Sequence, residues 1–207
     1  MFTKILRYYR YAWYMLKIHL YENPRGLDFH KRDLKLQRNT QGSNNGYAVT
    51  PTSHLKQIFA AIDVKNNNRF LDIGCGKGLV ITQAAKYPFK KIMGIDIVPH
   101  LIETAHKNID VLNLQDRVQV RVADASTFEN YSDYDCVFFF NPFSEDIMKK
   151  TMQKIVESLE TSPRDLCIIY CAPRDEHLIL QTGRFQLTQK LHCFLKNFAT
   201  HIFRSTC

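Results

Sequence analysis

Between residues 69 and 171, short apolar runs alternate with longer segments whose apolar residues recur every three or four positions. The runs are RFLDIG (69–74), KIMGID (91–96), RVQVRVAD (117–124), CVFFF (136–140) and LCIIYC (166–171), and helical spacing fills 78–87, 99–109 and 144–159. A run with little polar alternation suits a strand buried on both faces, and strand–helix alternation places such strands in a parallel sheet covered by helices. The pattern predicts an α/β, doubly wound, mostly parallel sheet. Two further runs, at 185–195 and 199–205, have no helix between them and predict an antiparallel C-terminal hairpin.

The first twenty residues follow another rule. Apolar or aromatic side chains fall at 2, 5, 6, 9, 13, 16 and 20, with Arg7, Arg10 and Lys17 between them, which predicts an amphipathic N-terminal helix. Three fates fit this stripe: packing on the main domain, lying on an anionic membrane surface, or stacking on nucleic acid through Tyr8, Tyr11, Trp13 and Tyr14. Asn23-Pro24-Arg25-Gly26 ends the helix, and the polar stretch 37–46 reads as a lid-like connection. This divides the chain into an N-terminal helical extension and lid (1–45) and a main domain (46–207). Thr50-Pro51-Thr52-Ser53 then provides a cap and a proline for a helix carrying Leu55, Ile58, Phe59 and Ile62.

Composition narrows the picture. A chain of 207 residues, 45% hydrophobic, suits one sizeable core. The net charge of +8 is concentrated at the start, where residues 1–40 hold nine basic side chains against three acidic ones. Such a segment favours polyanionic or anionic-surface partners, or serves as a solubilising face. Six cysteines at 75, 136, 167, 171, 193 and 207 lie mostly in apolar runs, as reduced thiols of a cytoplasmic protein do, and their spacing suggests no metal site. Charges break every apolar stretch of the N-terminus, so neither a spanning helix nor a signal peptide is expected. His54, His100, His106 and His177 read as solvated helix positions.

The candidate chemistry begins at Phe70-Leu71-Asp72-Ile73-Gly74-Cys75-Gly76-Lys77-Gly78, a buried strand ending in a glycine turn that opens a helix. Glycines belong where backbone approaches a ligand and takes positive φ. A second strand ends in Gly94-Ile95-Asp96, and an acid about 20 residues past the loop can accept both hydroxyls of a ribose. A nicotinamide dehydrogenase shares this layout, but its fingerprint wants Gly or Ala where this chain has Leu79. Asn141, in Phe140-Asn141-Pro142-Phe143, follows the fourth strand at the carboxyl edge of the sheet. Its amide oxygen can accept from a substrate N–H, while Phe143 stacks on a planar or cationic group.

From about 69 to 172 the chain resembles the class I methyltransferases dependent on S-adenosylmethionine (SAM), whose loop reads acid-hydrophobic-G-x-G-x-G. The resemblance implies a seven-stranded Rossmann-like fold. It implies that Asp72, Gly74, Gly76 and Gly78 cradle the methionine part of SAM, Asp96 binds the ribose, Ile97 packs on the adenine and Asp124 meets the adenine amino group. Asp124 read on its own also fits a helix N-cap. The Asn-Pro-Phe resembles the Asn/Asp-Pro-Pro-aromatic motif of amino-methyltransferases, with one proline in place of two, and is similar to bacterial chains sharing Asn-Pro-Phe. More remotely it resembles the non-SET histone lysine methyltransferases, in which Tyr47 and Thr50-Pro51-Thr52 would form a flap over SAM. Asn141, Pro142 and Phe143 are then the candidate catalytic positions; a strand-ending turn is the plainer reading of Asn141-Pro142. Tyr170, Cys171 and Pro173 are expected to line the substrate side.

The expectation is N-methylation of a protein or nucleic-acid acceptor recruited partly by the basic N-terminus. A SAM- or RNA-binding module without turnover and a nicotinamide oxidoreductase stand as alternatives.

Overall fold

A computed structural model of the chain describes residues 2–31, 49–65, 68–140 and 144–206, the side chains of residues 2–5 and 7 excepted. Seven strands form one sheet: β1 (Arg69–Ile73), β2 (Lys91–Asp96), β3 (Val118–Val122), β4 (Cys136–Phe140), β5 (Cys167–Cys171), β6 (Phe185–Cys193) and β7 (Phe198–Ser205). Their order is β3-β2-β1-β4-β5-β7-β6. β1 to β5 pair in parallel, and β7 lies antiparallel between β5 and β6. The doubly wound sheet and closing hairpin are those read from the sequence, and β2 and β4 span the very residues of their apolar runs.

Helices cover both faces of the sheet, which is why β1, β4 and β5 carry apolar residues on both sides, whereas the edge strand β3 alternates valine with exposed Gln119 and Arg121. The helices are α1 (Phe2–Glu22), α2 (Thr52–Ala61), α3 (Leu79–Ala84), α4 (Pro99–Val111), α5 (Glu145–Thr161) and α6 (Glu176–Gln181). One core gathers Leu55, Ile58 and Phe59 of α2, Ile81 of α3 and Ile102, Ala105 and Ile109 of α4 against Phe70 and Phe138. The opposite core packs Met148, Met152 and Ile155 of α5 and Ile179 of α6 on Leu71, Val137, Phe139 and Ile168.

Three local expectations are corrected. The start of α2 has no hydroxyl cap: Pro51 is the N-cap residue, and its carbonyl accepts from the His54 and Leu55 amides. His54 is buried, not solvated, because the hairpin folds over α2. Its Nε2 lies 2.8 Å from Thr200 Oγ1, its ring stands edge-on to Phe198, and burial pushes its pKa down. Tyr170 does not line a substrate face; its ring packs on Phe139 in the α5-side core, with centroids 4.7 Å apart.

The helix at the N-terminus runs to Glu22, where a 3₁₀ turn at Asn23–Arg25 and Gly26 at φ 70° end it, as the Asn-Pro-Arg-Gly sequence requires. The next residues do not leave the domain. Leu27 and Phe29 are buried with Val49 and Leu79 in a third, small core.

Candidate functional site

The strand order reverses at the boundary between β1 and β4, each of which continues to a different side of the sheet. In open parallel sheets such a switch point, at the carboxyl ends of the strands, is where ligands bind. A cavity lies there, lined by Asp72 and Gly74 from the end of β1, Cys75 and Leu79 from the loop and helix that follow, Phe140 from the end of β4, and Val49 and Thr50 from the segment entering α2.

The loop between β1 and α3 is drawn across the end of β2. The amides of Gly74 and Cys75 both donate to Ile95 O, at 2.8 and 3.0 Å, and Gly76 N donates to Asp96 Oδ2 at 2.9 Å. Gly74, Gly76 and Gly78 all hold positive φ (74°, 53° and 85°), a region that side chains disfavour. The turn therefore needs its glycines for backbone shape, whatever they meet. Asp96 has a matching double role, since its Oδ1 accepts from Val98 N at 2.9 Å. One carboxylate fixes both the glycine loop and the entry to α4, and it retains acceptor capacity for a ligand. Burial raises its pKa, opposed by these amide donors.

Asp72 is different. It is buried at the end of β1, and its Oδ2 has no hydrogen-bond partner among the described residues. Burial, and secondarily the charge of Asp96, hold its carboxyl well above the ordinary range. Thr50 Oγ1, on the same cavity, is likewise buried without a partner of good geometry. Unsatisfied buried polar atoms are costly and native folds seldom tolerate them without a ligand or another use. Two of them on one cavity suit a ligand bearing a cationic or polar head, and the amino acid portion of SAM has that chemistry. The residues present fit this cofactor.

The other expected positions are close by or outside the described residues. Ile97 follows Asp96 and is half-exposed, free to pack on a flat ring. Ala123 N donates to Asp96 O at 3.0 Å, which brings Asp124 to the same edge. No helix begins at Asp124; its Oδ1 closes a turn by accepting from Ser126 N and Ser126 Oγ, both at 2.8 Å. Tyr47 and the tripeptide Asn141, Pro142 and Phe143 lie outside the described residues. Among the described residues near them in sequence, Val49, Thr50 and Phe140 line the cavity, and Ser144 is the N-cap residue of α5.

Several residues that organise the site were not legible as such. Asn108 sits on the buried face of α4, where the spacing calls for an apolar residue. Its Nδ2 donates to Lys77 O (2.9 Å) and Asp28 O (3.2 Å), and its Oδ1 accepts from Asp28 N (2.9 Å). Lys77 of the glycine loop reaches back to Asp28 Oδ1 at 2.8 Å and Lys31 O at 3.0 Å. The segment after α1 is thus clamped onto the glycine loop. A polar residue within an apolar stripe was the signal, but its partner 80 positions away was not. Gly94 in β2 is the second case: a Cβ there would come within 2.8 Å of Cys75 Cβ and Sγ and 3.0 Å of Ile81 Cδ1. It is the floor on which the loop rests.

The chain is similar to known methyltransferases in sequence and in fold. A family model described as the ANTKMT methyltransferase domain matches residues 72–172. A putative protein N5-glutamine methyltransferase of Methanocaldococcus jannaschii is 37% identical over 81 residues, 39% of this chain and 39% of that protein. A tRNA1(Val) (adenine(37)-N6)-methyltransferase of Phocaeicola vulgatus is 30% identical over 87 residues, 42% of this chain and 37% of that protein. The chain thus spans well under half the length of these relatives. Among solved structures, an RNA methyltransferase of Salinibacter ruber in complex with S-adenosyl-L-homocysteine superposes with a TM-score of 0.59 at 18% identity, covering 76% of this chain and 94% of that one. The methyltransferase domain of bacterial CtHen1-C gives 0.61 at 15% identity, covering 75% and 98%. The strand order, the glycine loop and the family match over residues 72–172 together support a SAM-dependent methyltransferase of Rossmann-like fold.

Proposed function

We propose that the protein transfers the methyl group of SAM to a nitrogen of a protein or nucleic-acid acceptor. The observation that carries this reading is the buried Asp72 carboxyl, whose Oδ2 has no hydrogen-bond partner among the described residues, on one cavity with Thr50 at the sheet's switch point, with the glycine loop tied to Asp96. Asp72 and Thr50 meet the methionine part, Asp96 the ribose hydroxyls, Ile97 the adenine face and Asp124 the adenine amino group. Gly74, Gly76 and Gly78 let the backbone approach. The antiparallel β7 between β5 and β6 separates this fold from the six parallel strands of a nicotinamide dehydrogenase, and supports the methyltransferase reading over that alternative.

SAM supplies an electrophilic methyl on a sulfonium, and displacement there needs alignment and dryness more than acid–base help. The chain provides both through buried apolar walls at Leu79, Val80 and Phe138. Phe140, at the carboxyl end of β4, places Asn141 next along the chain. In this reading the Asn141 amide oxygen accepts from the acceptor N–H and Phe143 stacks on the acceptor, with Pro142 between them in sequence. These roles assign the protein to an intracellular, cytoplasmic setting where SAM and such acceptors occur.

The decisive test is calorimetric titration with SAM and S-adenosylhomocysteine, with NAD as control. Saturable micromolar binding of the two sulfur compounds is expected; saturation by NAD alone would overturn the reading. Asp96→Ala removes a charged acceptor and releases Gly76 and Val98, and is expected to weaken SAM binding by about 1.5–3 kcal/mol. Unchanged affinity would remove Asp96 from the site. Asn141→Ala is expected to leave SAM affinity within about threefold while lowering methyl transfer at least about a hundredfold, the scale of a lost transition-state contact. The measurement is turnover with SAM bound, and full activity would place the acceptor elsewhere.

A further inference from the structure

The helix α1 carries two opposed apolar faces, and the domain uses only one. Tyr14, Met15 and Ile18 are half-buried, and Glu22 is buried on the same side. Tyr14 OH meets His30 Nε2 at 3.1 Å, and His30 Nδ1 meets Glu22 Oε1 at 2.5 Å, which ties that face to the segment clamped on the glycine loop. On the other side Leu6, Tyr9, Trp13, Leu16 and Leu20 form a stripe in which every member is between 46% and 67% exposed. Packing on the domain therefore accounts for one face of α1 and leaves the sequence's main apolar stripe open.

The chemistry around the stripe selects among its occupants. Residues 2–21 contain Lys4, Arg7, Arg10 and Lys17 and no acid. Lys17 Nζ lies 5.5 Å from the centroid of the Trp13 ring, at the edge of the stripe. A second copy of the helix would suit the three-and-four spacing of a coiled-coil seam, but Arg10 and Lys17 would then flank that seam with no carboxylate to face. A nucleic acid would take the cations and stack on Tyr9 and Trp13, leaving Leu6, Leu16 and Leu20 in water. An anionic bilayer satisfies all of it: leucines enter the acyl boundary, tryptophan and tyrosine sit at the headgroup level, and lysine and arginine meet lipid phosphates. No helix among the described residues is long and apolar enough to cross a membrane, so the helix lies in the surface plane.

We infer that α1 is a membrane-surface anchor that docks its Leu6–Tyr9–Trp13–Leu16–Leu20 face on anionic lipid. Trp13 is the chain's single tryptophan and so reports directly. The full-length protein is titrated with vesicles of phosphatidylcholine containing phosphatidylglycerol, and with vesicles of phosphatidylcholine alone. Expected are co-sedimentation and a blue shift of Trp13 emission with the anionic vesicles, both reduced by salt and much weaker on the neutral ones. Leu16→Glu with Leu20→Glu is expected to lower vesicle partitioning at least about tenfold. Both positions are exposed, and an unchanged melting temperature establishes that the variant folds. Absence of partitioning, partitioning indifferent to these substitutions, or a blue shift that needs no vesicles and tracks a dimer mass in light scattering would each overturn the inference. So would binding of a single-stranded oligonucleotide, with no response to anionic lipid.

Discussion

Gly94→Val is expected to abolish detectable SAM binding and to lower the stability of the fold by about 3 kcal/mol, the upper range for forcing volume into a packed interior. Gly94 pairs with Asp72 of β1 and Val120 of β3, in the middle of a strand where glycine has no conformational advantage. What it provides is space. Even a single added carbon would stand 2.8 Å from Cys75 Cβ, an atom next to the backbone of the glycine loop that cannot rotate away. The branched side chain must push the loop off Ile95 O and Asp96, and those contacts give the cradle its form. Thermal melting and a SAM titration check the two halves of the prediction. A variant that melts like the wild type and binds SAM equally well would show that the loop does not rest on Gly94.

Asp72→Asn is expected to weaken SAM binding about a hundredfold, the loss of a buried charge-assisted contact, and yet to stabilise the protein alone near neutral pH. The two effects have one origin. With its pKa raised by burial and by Asp96, Asp72 holds its proton in the folded protein over a range where the unfolded chain has released it. The folded state binds more protons there, so stability falls as pH rises from about 4 toward the raised value. Asparagine removes that decline, and the variant should melt at a higher temperature above this window but not below it. A cationic ligand head reverses the preference, because it favours the carboxylate. Wild-type affinity for SAM should then rise with pH through the same window, with about one proton released per SAM bound. Calorimetry in two buffers of different ionisation enthalpy counts that proton. Uptake of a proton, or none, would refute the role given to Asp72.

The parts of this molecule that sequence reading reached are those fixed by local pattern. Strands buried on both faces announce themselves as apolar runs, so CVFFF and KIMGID mark β4 and β2 without error at either end. The glycine turn and Asp96 carry a spacing with a geometric reason behind it. What stayed hidden depends on residues distant in the chain. His54 looks like any polar position on an amphipathic helix until the hairpin brings Thr200 and Phe198 over it. Lys77 looks like a solvated cation between glycines until Asp28 covers it. α6, at six residues, is too short for its spacing to stand out from a loop.

The Asn108 junction has a consequence for how the molecule forms. Asp28 is synthesised first, yet both of its partners lie far downstream, Lys77 49 residues later and Asn108 80 residues later. The amino-terminal segment must wait, undocked, while β1, α3, β2 and α4 assemble, and loop closure over such distances is the slow kind. The wall that Asp28 builds against the glycine loop therefore cannot close until α4 has been made, so an early segment of the chain completes a pocket whose other parts it must wait for.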